Sequence, residues 1–286
     1  MANSYKTFSK QVYDEAFAAE MAGRGGAQGK KARPKQEEAE RHAQKEAIKT
    51  AILKTMEKFP EVEPALIWRG IYETHVHHKS GLDDYNTITK VIRADQSWRK
   101  SSGHAFEEMV KFLANVALDD SGIEILLQRD LNLLVKAGEL ANEPRDISWL
   151  KEQIKGSVFD LFAVYANDEG KRYCFGCIQS KTSVRDRVTR DREPSRAAMQ
   201  SFFWSAIVVL DGDFLKLPKF KAMVDGGTAE YPDNGWHGMY VFSDKYRGER
   251  IYPMHIGLEK FAEHAQKAAH YWCSQRQWFN KDWKAE

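Results

Sequence analysis

The chain reads as an α/β (α+β) protein, with a central mixed β-sheet flanked by helices and a helical N-terminal region ahead of it. Three observations predict this. Short apolar runs of strand length, bounded by Gly, Asn or Asp, occur at 123–127, 158–165, 173–181, 206–210 and 238–242. Stretches with helical spacing fall between these runs instead of being segregated from them. The 286 residues are 42% hydrophobic and include eight Trp, eleven Tyr and fifteen Phe, enough apolar surface for one large domain or two small ones.

Bulk properties exclude several classes. A formal net charge of +2 means that any nucleic-acid surface is a local patch. No apolar run reaches 18 residues, so no membrane span is expected. The N-terminal Met-Ala-Asn-Ser-Tyr-Lys-Thr-Phe has no hydrophobic signal region. Three cysteines give no disulfide framework and suit a reducing compartment. A cytoplasmic location is expected.

In chain order, Phe8, Val12, Tyr13, Phe17 and Met21 have helical spacing over 4–22. A Gly-rich segment then opens a basic linker, 23–35, carrying Arg24, Lys30, Lys31, Arg33 and Lys35 with no acid. It reads as a surface linker or as a phosphate-neutralising arm. A helix is expected from Lys35 to about Phe59, and a short one over 65–75. His75-Val76-His77-His78 lacks a further ligand nearby and reads as a surface turn, not a zinc site. Residues 79–98 are mixed. Ser101 or Ser102 can cap a helix running to Leu118, with Glu107 and Glu108 near its start and Phe106, Met109, Val110, Leu113 and Val116 toward a core. A strand at 123–127, a polar helix to about 141 and a helical turn or two over 147–154 follow. Beyond the hairpin come a helix at 197–204, strands at 206–210 and 238–242, and a terminal helix over 256–272. The expected division is a helical region at 1–98 and a second domain at 99–286.

The chemistry concentrates in Val158–Glu193. A lone acid, Asp160, lies in an apolar strand, where an unpaired carboxylate is costly. If 158–165 and 173–181 pair antiparallel across the Asn167–Gly170 break, Asp160 lies beside Gln179-Ser180-Lys181, with Gln179 and Lys181 on one strand face. From Lys171 to Arg196 there are eight Lys or Arg against three acids. An acid, a lysine and a basic patch suit phosphodiester hydrolysis, which calls for a divalent metal and for positive charge near the phosphate.

This layout resembles the core of the PD-(D/E)XK nucleases, without the proline before Asp160 and with Gln179 where a second acid is usual. Lys181-Thr182-Ser183-Val184-Arg185-Asp186-Arg187 is similar to the branch of type II restriction endonucleases that cuts CCGG, CCNGG and CCWGG sites. In that branch the triplet's acid has moved to the following helix, which implies Glu193, 12 residues after Lys181. Ser102-Gly103-His104-Ala105-Phe106-Glu107 looks like a helix-start motif of some CCGG cutters and puts Glu107 ahead of Glu108. The resemblance covers roughly residues 100–205.

It implies a restriction-endonuclease-like core and Mg²⁺-dependent cutting of double-stranded DNA at a short G·C-containing palindrome. Asp160 and Glu193 would be metal ligands, with Lys181, Glu107 and Gln179 completing the catalytic set. Arg185, Asp186 and Arg187 would read bases, because Arg pairs bidentately with guanine and Asp accepts from cytosine. Arg190, Arg192 and Arg196 would meet phosphates. A homodimer is expected, a tetramer remaining possible, with a cognate DNA methyltransferase in the host. The alternatives are a non-specific repair or recombination nuclease, or a non-catalytic DNA-binding module. Cys174 and Cys177 read as buried strand cysteines, and Asp211-Gly212-Asp213 as a turn.

Overall fold

The computed structural model describes residues 4–23, 32–81, 84–183, 188–275 and 279–285. It divides into two compact units, Met1–Trp98 and Arg99–Glu286.

The first unit contains α1 (Ser4–Ala22), α2 (Ala32–Lys58) and α3 (Pro64–Ser80). Tyr5, Val12, Tyr13, Ala47, Ala51, Ile67 and Ile71 form its core. The His75–His78 cluster, expected as a turn, is the last part of α3, and Gly81 in the left-handed region closes that helix. The Tyr13 hydroxyl is 2.8 Å from His75 Nδ1 and His78 packs on the Phe17 ring, so two of these histidines are packing groups.

The helix α4 (Tyr85–Ala117) differs from expectation. Ser101, Ser102 and Gly103 are internal and do not start a helix; the helix begins where Asp84 accepts hydrogen bonds from the Asn86 and Thr87 amides. One internal glycine costs only about 1 kcal/mol, which burial of Phe106, Val110 and Ala114 exceeds.

The second unit contains a six-stranded sheet in the order β1 (Ile123–Leu127), β2 (Leu161–Ala166), β3 (Arg172–Ser183), β4 (Trp204–Asp211), β5 (Gly238–Val241) and β6 (Ile251–Pro253). The pairs β1–β2 and β2–β3 are antiparallel; β3–β4, β4–β5 and β5–β6 are parallel. The sheet is therefore mixed, and helices cover both faces. One face packs Ile125, Leu161, Phe175, Ile178, Ala206 and Tyr240 against α4 and α9 (Glu259–Gln275). The other packs Phe162, Val164, Cys174 and Cys177 against α5 (Gln128–Ala137) and α6 (Pro144–Gly156). Further along, it packs Ile207, Val209 and Met239 against α7 (Val188–Gln200) and α8 (Pro218–Asp225). The helix expected at 197–204 thus begins nine residues earlier, and Trp204 opens β4. The Asn167–Gly170 break between β2 and β3 is a hairpin turn, with Gly170 left-handed and Asn167 Oδ1 accepting from the Glu169 and Lys171 amides. Cys174 and Cys177 are fully buried, and burial pushes both thiols well above their ordinary range.

The last described segment is tied down by buried polar groups. Arg250 donates to the Trp283 and Asp282 carbonyls at 2.6 and 2.7 Å, and the Asn234 amide donates to the Lys281 carbonyl. His237 accepts from the Ser205 amide at Nδ1 and lies 3.0 Å from the Asn280 carbonyl through Nε2, which fixes the neutral ring protonated on Nε2. Burial lowers this histidine from 6.5 to about 3. The unfolded chain therefore takes up a proton at pH values where the folded one does not, and stability present above pH 6.5 is lost as pH falls toward 3. A loss of about 2–4 kcal/mol is expected across that window. It is read as the denaturation midpoint at several pH values for the wild type and for His237→Gln. The variant starts lower and shows a flatter acid limb; parallel limbs would contradict the assignment.

Candidate active site

The site forms where β2 begins and β3 ends. Asp160 comes immediately before β2, not inside it, and its amide still donates to the Ile178 carbonyl at 3.1 Å. Antiparallel pairing of Leu161 with Ile178 brings the last part of β3 beside it. The Lys181 Nζ donates to Asp160 Oδ2 at 2.6 Å, and the Ser180 amide donates to the same oxygen at 2.7 Å. Two donors, one charged, fix that carboxylate's orientation. Both side chains keep a partial opening to solvent, 16% for Lys181 and 19% for Asp160.

Glu107 approaches this pair from α4. Its carboxyl is held above the usual range, first by burial and then by the negative charge of Asp160, with His104 and Lys181 opposing. Two carboxylates that repel each other beside one ammonium form an oxygen-rich pair suited to a cation. They border a cleft of about 620 Å³ lined also by His104, Glu108, Arg129 and Asn132. Magnesium is commonly held by one or two carboxylates plus waters and substrate oxygens, so this donor set fits a hard divalent ion. Among the described residues, no group of three or more His, Cys, Asp or Glu is gathered as a ligand cluster.

The other expected site residues are placed differently. Gln179 is buried, not in the cleft. Its Oε1 accepts from the Trp236 indole at 2.8 Å and its Nε2 donates to the Asp191 carbonyl at 3.0 Å. Glu193 is 71% exposed, with Arg196 at 3.7 Å and Arg192 at 4.0 Å. It lies across α7 from the buried stripe of Val188, Arg192, Ser195 and Met199. The α7 acid next to that stripe is Asp191, one of whose carboxylate oxygens is buried.

Arg192 requires a correction. Expected on a phosphate-facing surface, it is 7% exposed and donates to the Met223 and Asp233 carbonyls at 3.1 and 2.6 Å. A buried guanidinium spent on carbonyls holds α7 to α8 and its following loop. Arg196 is ion-paired with Asp233 at 2.9 Å, and Arg190 is exposed. Arg185, Asp186 and Arg187 lie outside the described residues, as does the basic segment at 24–31.

The contacts of Gln179 with the Asp191 carbonyl and the Trp236 indole were missed in the sequence. Helical parity counted from Val188 would have put Asp191 inward and Glu193 outward, had the helix start been read correctly. Trp236 meets Gln179 from 57 residues away and left no local signal.

The profile of a family described as BsaWI restriction endonuclease type 2 matches residues 145–278. The crystal structure described as a pre-specific restriction endonuclease BsaWI–DNA complex aligns over 99% of this chain and 98% of that one, at 53% identity and a TM-score of 0.83. This chain belongs to the BsaWI family of type II restriction endonucleases. As a family member it is a site-specific nuclease, and its mixed sheet with flanking helices is a restriction-endonuclease fold. Such enzymes act with a divalent metal. A specific AgeI–DNA complex aligns over 91% of each chain at 16% identity and a TM-score of 0.45. No curated protein matches the chain.

Proposed function

We propose that this family member is a Mg²⁺-dependent endonuclease that cuts both strands of double-stranded DNA at a short, G·C-containing palindrome. The observation that carries this reading is the Asp160–Lys181 pair, locked by the Ser180 amide at the joined ends of β2 and β3. The BsaWI relative, crystallised with DNA, supports DNA as the partner.

In this reading Asp160 and Glu107 face the metal, and α7 contributes the remaining acid. The resemblance assigns that acid to Glu193. Asp191, half-buried beside the inner stripe of the same helix, is the other α7 acid to test. A bound Mg²⁺ would polarise a phosphoryl oxygen and lower the pKa of a water. Lys181 holds its ammonium against Asp160, where it orients the attacking water or offsets charge developing on the phosphate. Arg185, Asp186 and Arg187 are assigned to base reading in the major groove, and Arg190 and Arg196 to phosphates. Residues 99–286 form the nuclease domain and 1–98 a helical accessory region. The enzyme acts in the cytoplasm as a homodimer, opposite a methyltransferase of the same specificity.

Plasmid DNA incubated with the protein and Mg²⁺ should give discrete fragments whose sequenced ends share one palindrome and one stagger. Chelation with EDTA should stop cutting. A smear would favour a non-specific nuclease; retained binding without cutting would favour a DNA-binding module.

A further inference from the structure

The two walls of the cleft differ in charge. The α4 wall and the floor carry the acids Glu107, Glu108 and Asp160. The α5 wall carries Gln128, Arg129 and Asn132 and no acid. Asp130, the acid in the first turn of α5, is paired with Lys111 at 2.6 Å and does not line the cleft. Arg129 and Asn132 are three residues apart on α5 and share a face. Asn132 is half-buried, and among the described residues its amide has no hydrogen-bond partner. Arg129 is 69% exposed and donates through one terminal nitrogen to Glu108 Oε1 at 2.7 Å, from the α5 wall to the α4 wall. Its Nε is 3.5 Å from Asp130 Oδ1.

We propose that Arg129, with Asn132 beside it, holds the phosphate adjoining the cut one, and that Glu108 occupies that phosphate's place in the DNA-free protein. A DNA strand carries a negative charge at every nucleotide. A strand whose cut phosphate lies at Asp160 and Lys181 therefore brings a neighbouring phosphate into the same cleft, where three carboxylates repel it. Among the described residues that line the cleft, Arg129 is the only Arg or Lys. Its guanidinium presents the same fork of donors to a carboxylate and to a phosphate, so Glu108 is a chemical stand-in for the ligand.

The exchange is easy in both directions. The Arg129–Glu108 pair is solvent-exposed on both sides, 69% and 49%, and pairs of that kind contribute little to stability. The nearest competing acid, Asp130, is already neutralised by Lys111, which leaves the guanidinium free to turn to the strand. Asn132 adds a neutral amide donor on the same face, one helical turn further from the start of α5. The inference rests on the proposed cutting of DNA at this cleft, and its test separates the two.

Binding is read by fluorescence anisotropy of a labelled duplex at several salt concentrations, with EDTA present to stop cutting. Arg129→Gln should weaken binding about tenfold and reduce the slope of log affinity against log salt by about 1, the loss of one phosphate contact. Arg129→Lys, which keeps the charge, should keep the slope. Asn132→Ala should weaken binding about threefold at unchanged slope, since an amide carries no charge. A neutral methylphosphonate placed in turn at the phosphates beside the cut bond should weaken the wild type at one of them and have no further effect there on Arg129→Gln. An Arg129→Gln protein with the wild-type slope, or one that responds to every neutralised phosphate as the wild type does, would overturn the inference. A lowered Tm at unchanged slope would overturn it in favour of a structural role. If that protein still cuts DNA, the nuclease reading stands alone. A slope that depends on Arg129, in a protein that cuts nothing, keeps Arg129 as a phosphate contact and removes the nuclease reading. A wild type that binds no duplex removes both.

Discussion

Asp160→Asn should reduce the single-turnover rate of DNA cleavage by at least about 10³-fold, roughly 4 kcal/mol of transition-state stabilisation, while DNA binding is retained. The substitution keeps the shape of the side chain and its bond from the Ser180 amide. It removes the charge that pairs with Lys181 and, in the proposed reading, binds the metal. Lys181→Met should fall by a similar factor for a different reason, since the carboxylate remains and the ammonium is gone. The two losses should not add, because both residues act as one constellation through a 2.6 Å contact. Stability should change by only about 1 kcal/mol, since the pair keeps contact with solvent. A Lys181→Met enzyme cutting at the wild-type rate would remove the site assignment. Mn²⁺ affinity measured by calorimetry gives a readout independent of turnover: it should weaken in Asp160→Asn and persist in Lys181→Met. The same measurement on Glu193→Gln and Asp191→Asn decides which α7 acid belongs to the site.

The parts of the fold that the sequence reveals are those governed by local rules. The strand at 123–127, the hairpin around Asn167–Gly170 and the apolar run at 206–210 have short-range periodicity and turn chemistry that hold in the structure. Antiparallel pairing alone then brings Asp160 to Lys181. Errors occur where a distant contact overrides a local signal. Ser101-Ser102-Gly103 resembles a helix start, yet Phe106 and Val110 downstream and the Asp84 cap upstream make it the middle of α4. The polar segment after Lys181 hides the start of α7, because its stripe is made with Arg192 and Ser195, residues that look like surface until their partners are known. The short β6 has only three residues and is defined by β5 beside it.

The same limit explains Gln179, and a substitution there tests it. Parity places Gln179 on the Lys181 face, and the general PD-(D/E)XK pattern, unlike the branch this chain resembles, has an acid at that position, so a glutamine looks like a defect that Gln179→Glu would repair. The structure predicts the opposite. Both ends of the amide are committed, the oxygen to the Trp236 indole and the nitrogen to the Asp191 carbonyl. A carboxylate keeps the first bond and loses the second, facing the carbonyl with no proton to give. The lost donor, together with a charge in a position 1% exposed, should cost about 2–4 kcal/mol. The cost has a pH signature. The new carboxyl is easier to protonate in the folded protein than in the unfolded chain, so the deficit should be smaller near pH 5 than near pH 8, and protonation restores the missing donor. Gln179→Met, which removes both bonds without adding a titrating group, should be destabilised equally at both pH values. Neither variant should gain Mn²⁺ affinity, and both should lose cleavage, because the tether between β3 and the start of α7 is cut. A Gln179→Glu protein that cleaves faster and binds Mn²⁺ more tightly than the wild type would show that this side chain faces the metal after all, and that the indole contact yields when a charge is offered.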